Sequence, residues 1–356
     1  MKINFILHNP EFGPGSLRYI FSVLHLSACL LLLVSLSACS SQKDRVFSKT
    51  RVLMDTAITI TVVAASQEGA EKAIDSAFRE IEKIGKLSDF YSSGSEISLI
   101  NKKAGISGVK VSPDVLQLVE KAVYVSEKTG GAYDMTIGSV SGLYDFHKKV
   151  LPGKDAVRKG LRLVNYRDIS IDRSVSSVFL KKEGMLIDPG GITKGYAADK
   201  ALECLKKEGI ASGIISVAGD IRAFGSKPDG RPWNIGIRNP RAESREDDVM
   251  ATIELMDAAI STSGDYERFF FSDNVRYHHI LDPRTGRPAS RCISVSIIAD
   301  EAAYTDAFST GIFIMGPEQG MKVLEEMKFN GVIVDNRGRI HMTPGIGGRI
   351  EFKNSP

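Results

Sequence analysis

The stretch that most constrains this chain runs from Leu186 to Asp199 and reads Leu-Ile-Asp-Pro-Gly-Gly-Ile-Thr-Lys-Gly-Tyr-Ala-Ala-Asp. An apolar run, Met185 to Ile187, stops at Asp188-Pro189, passes through Gly190-Gly191 and resumes with helical spacing near Thr193. That is the pattern of a strand, a tight turn and a helix start. Adjacent glycines let the backbone come close to a ligand, and the first turn of a helix points unpaired N–H groups at the same place. Lys194 adds a positive charge there. A phosphate or diphosphate cradle fits these features, and so does a plain Asp-Pro-Gly-Gly connection. The spacing matches neither the dinucleotide G-x-G-x-x-G nor the P-loop G-x-x-x-x-G-K-[ST].

The elements around this stretch set the fold class. Ile58, Ile60 and Val62 alternate with Thr59 and Thr61, which predicts a strand with one wet face. Ser66 stands as N-cap of a helix whose Ala70, Ile74, Ala77, Phe78, Ile81 and Ile84 share one stripe. Ser112-Pro113 opens a second helix that stops at Gly130-Gly131. The polar, irregular segment from His147 to Asp172 reads as an excursion before a strand at Ser177 to Leu180. The helix from Thr193 should end at Gly209, with strands at Gly213 to Val217, Trp233 to Ile237 and Cys292 to Ile298, and a helix from Glu301. Asp282-Pro-Arg-Thr-Gly286 is hairpin chemistry. Because hairpin pairs interrupt the alternation, the expected class is α+β, with mixed sheets, packed helices and two intimately joined lobes, rather than doubly wound.

Composition excludes some functions. The 356 residues are 43% hydrophobic and 25% charged, with net charge +3 and no block of like charge, so neither a nucleic-acid groove nor an acidic tail is indicated. Cysteines stand at 29, 39, 204 and 292 without a C-x-x-C pair, which argues against a zinc site and leaves Cys204 with Cys292 as the one disulfide open to an exported domain.

Lys2 and Arg18 precede a stretch from Tyr19 to Ala38 that carries no formal charge with His25 neutral, the mark of an export segment or an uncleaved membrane anchor. Its end, Leu36-Ser37-Ala38-Cys39, resembles the lipobox of bacterial lipoproteins, so residues 1–38 are expected to be a signal peptide and Cys39 the lipidated first residue. Leu26-Ser27-Ala28-Cys29 has the same letters, but a cut there would leave Leu30 to Ala38 as an exposed apolar tail. Residues 39–49 then read as a polar tether and 50–356 as the functional domain, exported and held on a bacterial membrane facing the periplasm or cell exterior.

Two further groups carry chemistry. Asp306 and Thr310 stand four apart on one helical face, hard oxygen donors suited to Mg²⁺, or else a back-bonded threonine and a first-turn carboxylate. His278 and His279 precede the Asp282 turn.

Met54-Asp55-Thr56, Tyr91 with Ser95-Glu96-Ile97 and Asn101, Gly131-Ala132-Tyr133-Asp134, Asp188 to Tyr196, Ser263-Gly264-Asp265-Tyr266, His279 to Gly286, and Thr305-Asp306-Ala307 with Thr310 resemble, in order, the ApbE-like FAD:protein FMN transferases. The resemblance covers about residues 50–345. It implies that FAD is split at its diphosphate and FMN joined to a Ser or Thr hydroxyl of a target protein, such as a flavin subunit of a redox pump, releasing AMP. Family members are often exported lipoproteins, in agreement with Cys39. Carried across, Met54, Tyr91, Ala132, Tyr133, Asp134, Asp188, Lys194 and Ile280 are implied FAD contacts; Gly191, through its carbonyl, Asp306 and Thr310 are the implied Mg²⁺ site; and His279, with Asp306, is implied in catalysis.

The chain departs from the family at Asp55, where Met-Gly-Thr is usual, and at Ala218, where Gly-Gly-Asp is usual. Rival readings use the same site: an FAD pyrophosphatase giving FMN and AMP, or a non-catalytic flavin-binding lipoprotein. Members that lean to hydrolysis carry Asn at the position of Tyr91, and a non-catalytic binder should lack the Asp306 and Thr310 pair.

Overall fold

The computed structural model describes residues 44–146, 148–242 and 249–353, so Cys39 and the segment before it lie outside the described residues. Eight strands form one sheet in the spatial order Arg45–Leu53, Thr56–Ala64, Ser212–Val217, Asp220–Phe224, Ala259–Gly264, Cys292–Ala299, Asn330–Asp335 and Ile340–Met342. Its ladders are all antiparallel. The mixed pairing expected from sequence narrows, among the described residues, to one parallel bridge between Ile137 and Leu186.

Alternation along the strands makes three layers. Ile58, Ile60, Ile215, Val217, Val295 and Ile297 face a core shared with the helices Gln67–Ser88, Thr193–Lys207 and Ala302–Met315. Ala223, Ile260, Ile298 and Val332 point the other way, into a second core closed by the sheet of Trp233–Arg238, Val249–Leu255 and Ile350–Phe352. Covered on both faces, Cys292–Ala299 is buried almost throughout. The wet face expected at Thr59 and Thr61 is there, with cross-strand hydroxyl pairs to Thr50 at 2.8 Å and Ser48 at 2.9 Å.

Local signals placed the helices well. Ser66 Oγ accepts from Gly69 N at 3.2 Å and Ser112 Oγ from Val115 N at 3.3 Å, each satisfying a donor that the helix start leaves over. The two departures from glycine fall in hairpin turns. Met54 and Asp55 (φ 51° and 57°) join Leu53 to Thr56, and Ala218 and Gly219 (φ 53° and 92°) join Val217 to Asp220. Tight two-residue hairpins of this kind need φ > 0 at both centres. Aspartate tolerates that region; alanine at 218 pays roughly 1 kcal/mol for it.

Three expectations change. The first strand begins at Arg45, inside the stretch read as tether, because Phe47 packs against the core. The polar excursion contains a helix, Lys154–Leu161, and a strand, Ile169–Asp172; eight residues with only Gly160 fully buried leave too short a stripe to read. The run Met185 to Ile187 is no strand. Its backbone is satisfied by side chains instead: Asn101 Oδ1 accepts from Ile187 N at 2.8 Å, Asn101 Nδ2 donates to Ile187 O at 3.0 Å, and Ser139 Oγ accepts from Leu186 N at 2.9 Å. Ile187 is wholly buried, so Asn101→Ala leaves two backbone groups unpaired. A loss of about 2 kcal/mol of stability is expected by urea denaturation. Cys204 and Cys292 are both free thiols, so the disulfide open to them is not formed.

Candidate functional site

The site is built where two helix N-termini meet. Helix Thr193–Lys207 crosses helix Ala302–Met315 at Gly195, whose absent Cβ would lie 2.0 Å from the carbonyl oxygen of Ala302. The contact is reciprocal. Asp199 of the first helix accepts from Ala302 N and Ala303 N of the second, at 2.9 Å each. Asp306 of the second accepts from Gly195 N of the first at 3.1 Å. Each helix supplies the carboxylate that the other's positive end favours.

This arrangement brings a carboxylate to the turn read from sequence as a cradle. Several N–H groups of the turn and helix start are already paired: Gly190 N with Asp188 Oδ1, Ile192 N and Thr193 N with the Pro189 carbonyl, and Gly195 N with Asp306. The anion seated at this helix start is the protein's own Asp306 carboxylate, and a cation balances it. Lys194 is that cation here. Its Nζ is in direct contact with Asp220 Oδ2 and lies 3.2 Å from Asp306 Oδ1. Burial opposes the ammonium, but the carboxylates of Asp220 and Asp306 outweigh it and hold its pKa above the ordinary lysine value. Burial, then the charge of Asp306, raise the pKa of Asp220.

Around this cluster stand several of the expected residues. Thr310 Oγ1 is 3.2 Å from Ser263 Oγ and 3.4 Å from the Asp306 carbonyl, and a Cβ on Gly191 would lie 3.4 Å from it. The same Cβ would meet the Tyr133 ring at 3.2 Å. The Tyr133 hydroxyl is buried without a hydrogen-bond partner, and its pKa is raised well above the usual value by burial first and then by Asp306, Asp188 and Asp134. His279 also carries a buried unpartnered nitrogen, Nδ1. Burial, with Arg268, His278 and Lys194 nearby, pushes its pKa down to about 3, so the imidazole is neutral. Asp188 accepts from Ser141 Oγ at 2.7 Å. Tyr91, 82% exposed, feels the charges of Asp188 and Arg268 and offers an open aromatic face.

Other expected residues are engaged elsewhere. Asp134 accepts from Thr136 N, Thr136 Oγ1 and Tyr166 N, at 2.9, 2.6 and 2.9 Å. Met54 lies against Gly85. Ala132 is buried in the turn before Tyr133, and Ile280 is buried with its N–H on His278 Nδ1 at 3.3 Å. Sequence reasoning missed Asp220 and Asp199 as site residues. A separate cavity of about 300 Å³ lined by Arg291, Asp335, Arg337 and Arg339 contains none of the cluster.

The donors fit a magnesium ion. No group of three or more His, Cys, Asp or Glu side chains gathers for a metal among the described residues, but Mg²⁺ takes few protein ligands and keeps its waters. Asp306, Thr310 and the backbone at Gly191 could offer hard oxygens to a divalent ion, beside one ammonium that serves two buried carboxylates.

A sequence model described as the ApbE family matches residues 54–333. The chain belongs to the ApbE family. Within it, a FAD:protein FMN transferase of Treponema pallidum (strain Nichols) is 30% identical over 339 residues, covering 90% of this chain and 93% of that protein. One of Vibrio cholerae is 32% identical over 252 residues, covering 69% and 74%. The ApbE likeness holds in three dimensions. The ApbE protein of Thermotoga maritima superposes with a TM-score of 0.78 at 32% identity, over 85% of this chain and 98% of that one.

Proposed function

We propose that this ApbE-family chain moves FMN from FAD to a Ser or Thr hydroxyl of a target flavoprotein, with Mg²⁺ and release of AMP. It is a flavin transferase by its family, and its like-named relatives are the first support. The observation that carries the finer reading is the cluster of Asp306, Asp220 and Lys194 beside Thr310, with two buried unpartnered polar atoms, Tyr133 Oη and His279 Nδ1, near it. Unpaired buried polar groups are costly and call for a partner.

In this reading Asp306 and Thr310 hold the ion together with the Gly191 carbonyl, and Lys194 takes a diphosphate oxygen. When bound, Mg²⁺ supplies charge stabilisation for the diphosphate and the leaving AMP. The acceptor oxygen forms a bond to the FMN phosphorus, and the bond from that phosphorus to the bridging oxygen breaks, leaving AMP. The acceptor proton passes to His279, whose low pKa rises as an anionic diphosphate comes alongside. Tyr91 lends its exposed face to the flavin. FAD pyrophosphatase is the second reading, with water in place of the hydroxyl; Tyr91 favours transfer.

Incubation of the full-length protein with FAD, Mg²⁺ and a flavin-carrying target domain tests this. A target gaining the mass of one FMN is the expected result. Free FMN and AMP with an unmodified target would replace transfer by hydrolysis, and unchanged FAD would leave binding alone.

We place the protein outside the cytoplasm, lipid-anchored through Cys39, on the strength of the Leu-Ser-Ala-Cys sequence. Metabolic labelling with a fatty acid should mark the wild type and not Cys39→Ala. Wild-type protein that stays unlabelled and keeps residues 1–38 by mass spectrometry would rule the anchor out.

A further inference from the structure

Asp220 belongs to none of the metal or flavin contacts assigned above, yet it makes the most direct contact with Lys194. Resting on the metal reading, we propose that Asp220 is a positioning residue that holds the Lys194 ammonium and so keeps the Asp306 carboxylate open to a divalent cation.

The geometry is specific. Asp220 opens the strand Asp220–Phe224, one residue past the tight turn at Ala218-Gly219, and is paired across it with Val217. Its carboxylate is therefore carried on rigid backbone, and it is 2% exposed. Lys194 reaches it on a flexible stem, touching Asp220 Oδ2 and standing 3.2 Å from Asp306 Oδ1. Asp306 is 3% exposed and is held on its other oxygen by Gly195 N. Two fixed carboxylates thus compete for one mobile ammonium. With Asp220 present the ammonium is shared, and Asp306 keeps attraction to spare. With Asp220 made neutral, Asp306 is the one carboxylate left to pair with a part-buried lysine, and any divalent ion must displace that lysine to enter. A direct metal contact by Asp220, or a simple field effect, would act whether or not Lys194 were there. That difference makes the idea testable.

The probe is Mn²⁺ alone, without FAD, titrated into full-length protein and followed by the electron paramagnetic resonance of the free ion. Asp220→Asn, nearly isosteric, should weaken Mn²⁺ binding at least about fivefold, and Lys194→Met should tighten it, because the competing cation is gone. In the Lys194→Met background, adding Asp220→Asn should cost less than about twofold, the coupling expected of residues that act through one another. Unchanged affinity in Asp220→Asn, or the same loss in both backgrounds, overturns the proposal. If Lys194→Met does not fold, Asp220→Glu decides: it keeps the charge and should bind Mn²⁺ near the wild-type level, and a variant as weak as Asp220→Asn overturns the role. Wild-type protein that takes up no Mn²⁺ at millimolar concentration removes the metal reading itself.

Discussion

Gly195→Ala is expected to destabilise the protein by roughly 3 kcal/mol or more, toward the upper end of what overpacking a core costs. The added Cβ would sit 2.0 Å from the Ala302 carbonyl oxygen and 2.4 Å from its carbon, atoms of backbone that no rotamer change can clear. The two helices must part. Parting them stretches the bond from Gly195 N to Asp306 and draws Asp199 away from the Ala302 and Ala303 N–H groups, so the reciprocal caps fail together with the packing. Loss of a single cap costs about 1 kcal/mol, so the packing term dominates. The measurement is the urea midpoint with its slope, beside Gly209→Ala as control. Gly209 has no neighbour near its Cβ but sits at φ 82°, so alanine there is penalised by backbone strain alone, about 1 kcal/mol. A Gly195→Ala midpoint no lower than that of the control would mean that the helices do not cross there.

The same crossing explains what the sequence could and could not reveal. Ser66 and Ser112-Pro113 were legible because a helix start is written in neighbouring residues, and so was the Asp306 and Thr310 spacing, since both stand on one helix. The expected strand at Met185 to Ile187 failed for the opposite reason. Ile187 pairs with the side chain of Asn101, far back in the chain, so an apolar run that makes a single bridge, from Leu186 to Ile137, looked like a full strand. The cradle was half legible. The turn and helix start were in the letters, but the acceptors that take several of its N–H groups include Asp306, brought from a distant helix. Asp220 was seen only as part of a departure from Gly-Gly-Asp, because nothing local says that its carboxylate meets Lys194. Asp199 closed the opening motif without a role for the same reason; its partners, Ala302 and Ala303, have no polar side chain to announce them.

Asp306→Asn should leave a folded protein with transfer of FMN reduced at least about a hundredfold at modest Mg²⁺, a loss of roughly 3 kcal/mol in transition-state stabilisation. Asparagine fills the same volume, and its carbonyl oxygen can still accept from Gly195 N, now 3.1 Å from the carboxylate. Lys194 keeps Asp220 as its partner, so no cation is stranded. The change in stability should therefore stay within about 1 kcal/mol, since Asn serves a helix N-terminus nearly as well as Asp. What disappears is the charge. Asp306 is the one carboxylate in the ligand set proposed with Thr310 and Gly191, and an ion with few protein contacts depends heavily on it. Raising Mg²⁺ should restore part of the rate, because a weakened site can be filled by mass action while a lost chemical group cannot. Two measurements separate the roles: the urea midpoint reports the cap, and the Mg²⁺ dependence of target mass gain reports the metal. A variant that transfers FMN at the wild-type rate at low Mg²⁺ would confine Asp306 to capping its neighbour helix, and the ion would have to be held by other residues.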